Sequence, residues 1–319
     1  MIGGEAGREL SWRRGPRDWA AMPTVNLSRD PWAEFPFRPG DIVISTVAKS
    51  GTTWVQMICA LLIFQTPRLP KPLPQLSPWL DSRWPEERAR SGPELAAQQH
   101  RRFIKTHRPL NALPADPRVT YIVIARDPLD VAVSMNHQRS LMTTARNPRQ
   151  LRGSRPPQKS ARQFLLDSIE MMGTTQHGHD SYLDKMLKRM ACAWERRAEP
   201  NVVLMHYQDL ATDLSGEMRR LARRLDITVP EDKWPSLVQA ATFEQMQAAA
   251  DHLQPLKYVE AREASKGNAD FFRRGSLGDG RTLLTDTEAA CYYTRAARVA
   301  PQGLLAWLHC GDERYGIPK

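Results

Sequence analysis

Residues 41–64 read Asp41-Ile-Val-Ile-Ser-Thr-Val-Ala-Lys-Ser-Gly-Thr-Thr-Trp54 and then Val55-Gln-Met-Ile-Cys-Ala-Leu-Leu-Ile-Phe64, and no other stretch restricts the fold as strongly. The apolar run Ile42 to Ile44 predicts a short buried strand. A small polar turn, Ala48 to Thr53, comes next. The segment after it is apolar on more than one face, as a helix packed on a sheet must be. Strand, tight loop and helix together aim backbone N–H groups and the positive end of a helix dipole at one point, which suits a phosphate-like anion. Lys49 adds a cation, and Ser50, Thr52 and Thr53 add hydroxyl donors. A Walker A loop is excluded, because Lys49 precedes the single glycine, Gly51, instead of following a second one. Taken alone, the stretch also fits a strand–helix turn that merely contains a lysine. The rest of the chain separates the two.

Three further strand ends carry candidate residues. Phe103 to Thr106 predicts a second buried strand, and His107 stands at its carboxyl end, where open parallel sheets hold ligands. Lys105 lies two residues before His107, on the same strand face. An imidazole titrating near neutral pH in that position is a candidate general base. The third strand, Val119 to Ala125, runs into Arg126-Asp-Pro-Leu-Asp-Val-Ala-Val-Ser134. Asp127 as N-cap and Pro128 at the first helical position mark a helix start. Arg126 therefore sits beside a helix N-terminus, with Ser134 two turns along, and can fork onto a phosphate. Asn201 to Tyr207 predicts a fourth strand. Strands alternating with helices imply an α/β fold: a P-loop-like, three-layer arrangement of a central, mainly parallel β-sheet flanked by helices.

Several expectations concern the intervening segments. Residues 1–22 read as a flexible N-terminal extension and 23–319 as a single domain, in which Trp32, Phe35 and Phe37 pack on the edge of the fold. Pro67 to Pro93 is too proline-rich for a long helix and carries Trp79 and Trp84, so it reads as a loop beside a substrate pocket. Residues 138–162 hold seven basic residues without periodicity and read as a mobile loop or lid. His177 and His179 lack the further ligands of a metal site, so no metal is expected. Phe271-Phe-Arg-Arg-Gly-Ser-Leu-Gly-Asp-Gly280 is a second basic, glycine-rich loop able to present N–H groups to an anion. Asp286 is expected to cap a final helix.

Composition narrows the partners. A net charge of +10 calls for an anionic ligand. Four cysteines, widely spaced and without a Cys-x-x-Cys pair, suit a reducing compartment. No secretory signal or membrane-spanning run is visible, and a cytoplasmic location is expected, with peripheral membrane contact but no specific nucleic acid.

Four motifs in order resemble the sulfotransferase family that uses 3′-phosphoadenosine 5′-phosphosulfate (PAPS). Its Thr-x-Pro-Lys-Ser-Gly-Thr-Thr-Trp stands as Thr46-Val-Ala-Lys-Ser-Gly-Thr-Thr-Trp54, and its Lys-Thr-His-x-Pro as Lys105-Thr-His-Arg-Pro109. Its Arg-(seven residues)-Ser element stands as Arg126…Ser134, and its Arg-Lys-Gly-x-x-Gly-Asp-Trp as Arg273-Arg-Gly-Ser-Leu-Gly-Asp-Gly280. The Ser77-Pro-Trp-Leu-Asp81 run is most similar to bacterial members that sulfate glycolipids. Ala48 departs from the motif proline and Gly280 from the motif tryptophan, which should weaken the nucleotide site. The resemblance implies transfer of a sulfuryl group from PAPS to an acceptor hydroxyl, on a lipid-linked or carbohydrate molecule ahead of a small phenol, with the nucleotide 3′,5′-bisphosphate (PAP) as product and no metal. It implies that Lys49, Ser50, Gly51, Thr52 and Thr53 hold the 5′-phosphosulfate, and that Arg126, Ser134, Arg273, Arg274 and Gly275 hold the 3′-phosphate. Trp54, Tyr207, Thr242 and Phe243 would lie near the adenine. His107 would take the acceptor proton, with Lys49, Lys105 and Ser134 completing the catalytic group. The competing readings are a nucleotide or small-molecule kinase on a related fold and a non-enzymatic polyanion binder.

Overall fold

A computed structural model describes residues 30–144, 159–173, 180–253 and 277–311. The extension 1–22, the histidine pair 177 and 179, and Arg273, Arg274 and Gly275 lie outside the described residues.

The chain begins with β1 (Ile42–Ser45) and α1 (Thr52–Phe64), then α2 (Leu73–Leu76), α3 (Pro85–Ala97), β2 (Phe103–Thr106), β3 (Thr120–Ala125) and α4 (Pro128–Thr144). It continues through α5 (Ala161–Glu170), α6 (Tyr182–Glu195), β4 (Val202–His206), α7 (Tyr207–Thr212), α8 (Leu214–Arg224), α9 (Trp234–Ala240) and α10 (Phe243–Ala248). Helices at Asp279–Thr282, Asp286–Ala296 and Gln302–Cys310 come after these. The four described strands form one parallel sheet in the order β2-β1-β3-β4. Because all four run the same way, all four carboxyl ends share one edge. The chain leaves central β1 toward β2 and returns past it to β3, so that edge includes a topological switch point, where such sheets bind ligands.

Strand alternation divides the interior into two cores. Val43, Ile104, Tyr121, Val123 and Leu204 enter the layer with α4, α5 and α6. Ile42, Ile44, Phe103, Ile122, Ile124 and Met205 enter the layer with α1, α8 and α9. Burial on both faces explains why the strands read as continuous apolar runs. Helix α1 buries Trp54 and every residue from Val55 to Leu62, and truncating one such residue, as in Ile58→Ala, would cost about 2–5 kcal/mol. The aromatic segment before β1 packs as expected: Trp32 is fully buried against Phe35 and Phe37.

Three expectations are corrected. The proline-rich stretch does hold a helix, α3, of 13 residues. Pro85 occupies its start, where no N–H is needed, and Pro93 is accommodated inside it. The basic stretch 138–162 is helical at both ends: α4 runs on to Thr144 and α5 begins at Ala161. Asp286 does not cap its helix; Thr285 does, in a reciprocal capping box with Glu288, and a further helix comes after it.

Candidate active site

Each of the four strands delivers its candidate residues immediately past its carboxyl end: Thr46 to Trp54 after β1, His107 after β2, Arg126 after β3 and Tyr207 after β4. The loop after β1 turns sharply. Ser50 N–H donates to the Val47 carbonyl (3.2 Å), and Lys49 has φ of 73°. A four-residue turn with positive φ at its third residue alone has the signature of type II. Gly51 is next at φ 110°, and a Cβ there would come within 2.9 Å of Ile124 and 3.0 Å of Tyr207. Only glycine meets both demands. Helix α1 starts at once, with no side chain capping its first turn. Ser50 Oγ is buried and has no hydrogen-bond partner. A strained turn, a helix start and a partnerless buried hydroxyl are the features expected of a cradle for a phosphate-like group.

Arg126 and the aromatics form the next part. The Arg126 guanidinium lies 4.3 Å over the ring of Tyr207, and Tyr207 meets Trp54 edge to face at 5.1 Å. Trp54 Nε1 donates to the Ala241 carbonyl at 2.8 Å, which ties α1 to the turn before α10. Thr242 caps α10 through its hydroxyl, and half-buried Phe243 packs on the same core. The structure thus assembles Trp54, Arg126, Tyr207 and the Thr242 turn into one wall. Asp127 caps α4, accepting from Leu129 N–H at 2.8 Å, and Ser134 stands half-buried nearly two turns further along.

His107 is half-buried at the other side of β1. Its Nδ1 lies 3.0 Å from the Thr46 carbonyl oxygen. A carbonyl can only accept, so Nδ1 carries the proton and Nε2 keeps its lone pair. Thr46 Oγ1 also pairs with Thr52 Oγ1 at 2.6 Å, which joins this strand end to the start of α1. Lys105 lies 4.4 Å over the ring of Trp79, and Trp79 touches His107 edge to face at 4.8 Å. Trp79 reaches this position because Ser77-Pro-Trp-Leu-Asp81 runs beside β2: Lys105 N–H donates to the Pro78 carbonyl, and Trp79 pairs with Lys105 as a parallel bridge.

The electrostatics correct the expectation of a near-neutral imidazole. Burial, then the Lys105 charge, press His107 down to about 3, against a partial upward pull from its bond to Thr46. Burial, then Arg126 and Lys105, lower Lys49 to about 8. Burial lowers Lys105 to about 8 as well, although Glu87 and Asp81 oppose it. Across the site Lys49 feels the charges of both Arg126 and Lys105. The site holds His107 neutral and makes binding of a negatively charged group favourable on three counts.

Asp130 escaped the sequence reading. It is 2% exposed, and its two oxygens accept from the N–H groups of Gly278 (2.9 Å) and Gly280 (2.8 Å). The only sequence signal was an acid inside the apolar run Leu129-Asp-Val-Ala-Val133. Gly280, expected to leave a gap where the family has tryptophan, is a close-packing glycine: a Cβ there would overlap the Leu129 backbone.

Similarity to known proteins gives the family and the fold. The sulfotransferase domain family matches residues 39–294. A glycolipid sulfotransferase of Mycobacterium bovis is 39% identical over 89% of this chain and 92% of its own length. One from Mycobacterium tuberculosis is 38% identical over the same shares. Among solved structures, retinol dehydratase in complex with retinol and PAP superposes with a TM-score of 0.65 at 22% identity, covering 85% of this chain and 84% of its own.

Proposed function

The chain belongs to the sulfotransferase domain family, and on that premise we propose that it transfers a sulfuryl group from PAPS to a hydroxyl of a glycolipid. The observation that carries the reading is the joint position of the β1 loop and His107, fastened together through Thr46: one side a cradle for a phosphate-like anion, the other a neutral imidazole with a free acceptor nitrogen.

The residues present fit the donor. Ser50 Oγ lacks a partner, the amides around Gly51 and the start of α1 can donate to anionic oxygens, and Arg126 stands at the start of α4. Trp54 and Tyr207 offer aromatic surface for a base. Bound there, PAPS would supply a sulfuryl group already activated for displacement. In the transfer, a bond forms between the acceptor oxygen and sulfur, the bond from sulfur to the donor phosphate breaks, and the hydroxyl proton passes to His107 Nε2. Lys49 and Lys105 stabilise charge on the transferring and leaving oxygens, and positioning with electrostatics supplies most of the rate, as in phosphoryl transfer. Neutralising Lys105 with an anion also removes part of the charge that depresses His107 and so strengthens it as a base. The glycolipid acceptor is supported by what the two mycobacterial relatives are named for.

The test is a thermal-shift titration with PAP against ATP·Mg²⁺, then transfer of labelled sulfate from PAPS to a glycolipid. A saturable rise with PAP alone that is lost in Arg126→Ala, together with label in the glycolipid, supports the proposal. A rise with ATP·Mg²⁺ in its place would move the chain to the kinase reading.

A further inference from the structure

Two histidines tie the last turn of the helix Gln302–Cys310 to the sheet edge that carries the site. His206, the final residue of β4 and 1% exposed, has Nε2 3.1 Å from the Leu308 carbonyl oxygen and accepts the Gln208 N–H on Nδ1 at 3.2 Å. A carbonyl only accepts and an amide N–H only donates, so one tautomer, protonated at Nε2, serves both. His309, the next residue of the helix after Leu308, has Nδ1 2.8 Å from Asp127 Oδ2. The carboxylate accepts, so Nδ1 carries the proton, and Nε2 takes the hydroxyl of Tyr292 at 3.2 Å. Tyr292 is fully buried, and burial keeps its phenol protonated and able to donate. Asp127 is thereby used at both oxygens: Oδ1 caps α4 through Leu129 N–H (2.8 Å), and Oδ2 accepts from His309.

The two ties reach neighbouring points. Ala125 and His206 are partners in the register of β3 and β4. Arg126 follows directly on the one and Tyr207 on the other, and the Arg126 guanidinium lies 4.3 Å over the Tyr207 ring. Consecutive residues of one helical turn, Leu308 and His309, therefore hold the backbone on either side of that stack. The helix is itself fixed: Trp307 is fully buried against the rings of His206 (5.4 Å) and Trp194 (5.5 Å). Its end closes on α7, since a Cβ at Gly311 would come within 2.3 Å of Asp209 Oδ1. Apolar groups of the same shape would hold two elements together about as well as these polar ones. What the polar groups add is direction, because an aspartate bonded at both oxygens and a histidine bonded at both nitrogens each keep one orientation.

We propose that His309 is a positioning residue for the nucleotide. Through Asp127 it sets the backbone that presents Arg126, while His206 sets the backbone that presents Tyr207, and the guanidinium is held where the 3′-phosphate arrives. The proposal rests on the sulfotransferase reading, in which Arg126 meets that phosphate. His309 acts through Asp127 and takes no part in the transfer.

The experiment titrates the full chain calorimetrically with PAP and with adenosine 5′-monophosphate, which lacks the 3′-phosphate, and compares His309→Gln with His309→Asn. The asparagine amide falls near the place of Nδ1 and can still donate to Asp127; the glutamine amide falls near the place of Nε2 and cannot. His309→Gln should weaken PAP about tenfold, as expected for one lost charge-assisted bond, leave the monophosphate within twofold, and raise KM for PAPS with kcat within twofold. His309→Asn should bring PAP back to within threefold of wild type. A tie that served stability alone would lower Tm in both variants and leave the ratio of the two nucleotide affinities unchanged. Coupling is reciprocal, so in wild type PAP should slow hydrogen exchange at the amides of Leu308 to Gly311 more than the monophosphate does. PAP affinity within twofold of wild type in folded His309→Gln, equal loss for both nucleotides, no rescue by asparagine, or no difference in exchange each overturns the positioning role. The exchange measurement on wild type decides the question where a variant does not fold. Wild type that binds no PAP overturns the parent reading and this proposal with it; wild type that binds PAP beside unresponsive variants overturns the positioning alone.

Discussion

Asp130→Asn tests whether the glycine-rich loop is fastened to the helix that carries the nucleotide contacts. The carboxylate accepts two amide hydrogens, one from buried Gly280 and one from half-buried Gly278. An asparagine keeps one acceptor oxygen and turns an NH₂ toward the other amide. The loss is one charge-assisted bond weakened and one broken, about 2–3 kcal/mol against docking of the loop. Burial raises the Asp130 pKa, with the two amide bonds opposing it in part. A carboxyl whose folded pKa lies above its unfolded value favours the fold below that value and withdraws that contribution as pH rises through the folded one. The ionised group is therefore held at neutral pH at a cost to stability, so the neutral amide should leave Tm within a few degrees. PAP affinity should respond differently. Arg273 and Gly275 lie just ahead of the fastened glycines, and a binding-competent state populated less often weakens apparent affinity in proportion. A rise of about 10- to 100-fold in the PAP Kd is expected by calorimetry, with faster hydrogen exchange at Gly278 and Gly280. A Kd within twofold of wild type in a folded protein would refute the fastening.

His107→Gln should cut transfer about 10²- to 10⁴-fold and leave PAP binding intact, measured by labelled-sulfate turnover beside thermal shift. The pH profile of kcat/KM should show no acid limb near pH 6–7, because the folded His107 titrates at about 3, and an alkaline fall as the free enzyme passes about 8, where Lys49 and Lys105 lose their protons. The two lysines titrate lower folded than unfolded, so between about 8 and 10.5 the unfolded chain binds more protons and Tm should rise with pH across that window. Gly51→Ala places a Cβ at φ 110° against Ile124 and Tyr207 and should abolish the PAP-induced shift; an unchanged shift would contradict the described loop.

The strand ends were legible because parallel strands buried on both faces read as mostly apolar runs, and each is followed within two residues by a polar or ring-bearing group: Thr46, His107, Arg126 and Tyr207. Helix starts at Thr52 and Pro128 were legible for local reasons: the small polar turn ahead of an apolar segment, and an Asp-Pro pair. What the sequence concealed depends on contacts distant along the chain. Asp130 is separated from Gly280 by 150 residues, and nothing local marks it as the anchor of a loop. The neutrality of His107 comes from burial and from Lys105, Arg189 and Arg83, of which only Lys105 is a sequence neighbour. Pro93 argued against α3 on propensity, and tertiary packing of Ser91 and Leu95 outweighed it.

The departure at Ala48 acquires a physical meaning from the turn it occupies. Val47 to Ser50 closes with positive φ at Lys49 and not at Ala48, so Ala48 is the second residue of a type II turn, the position that proline favours. Lys49 is the third, where glycine is usual and a lysine is strained. A proline ahead of it restricts the unfolded chain to the backbone angle the turn requires; alanine leaves that restriction out. No hydrogen bond from the Ala48 amide is described, so a proline there breaks none. Ala48→Pro should therefore stabilise the fold by about 0.4–1 kcal/mol, or roughly 1–4 °C in Tm. It should also tighten PAP binding, since the amides around Lys49 and Gly51 are ordered before the ligand arrives. A lower Tm together with weaker PAP binding would mean that the loop is not a type II turn, and that the strain at Lys49 has another source.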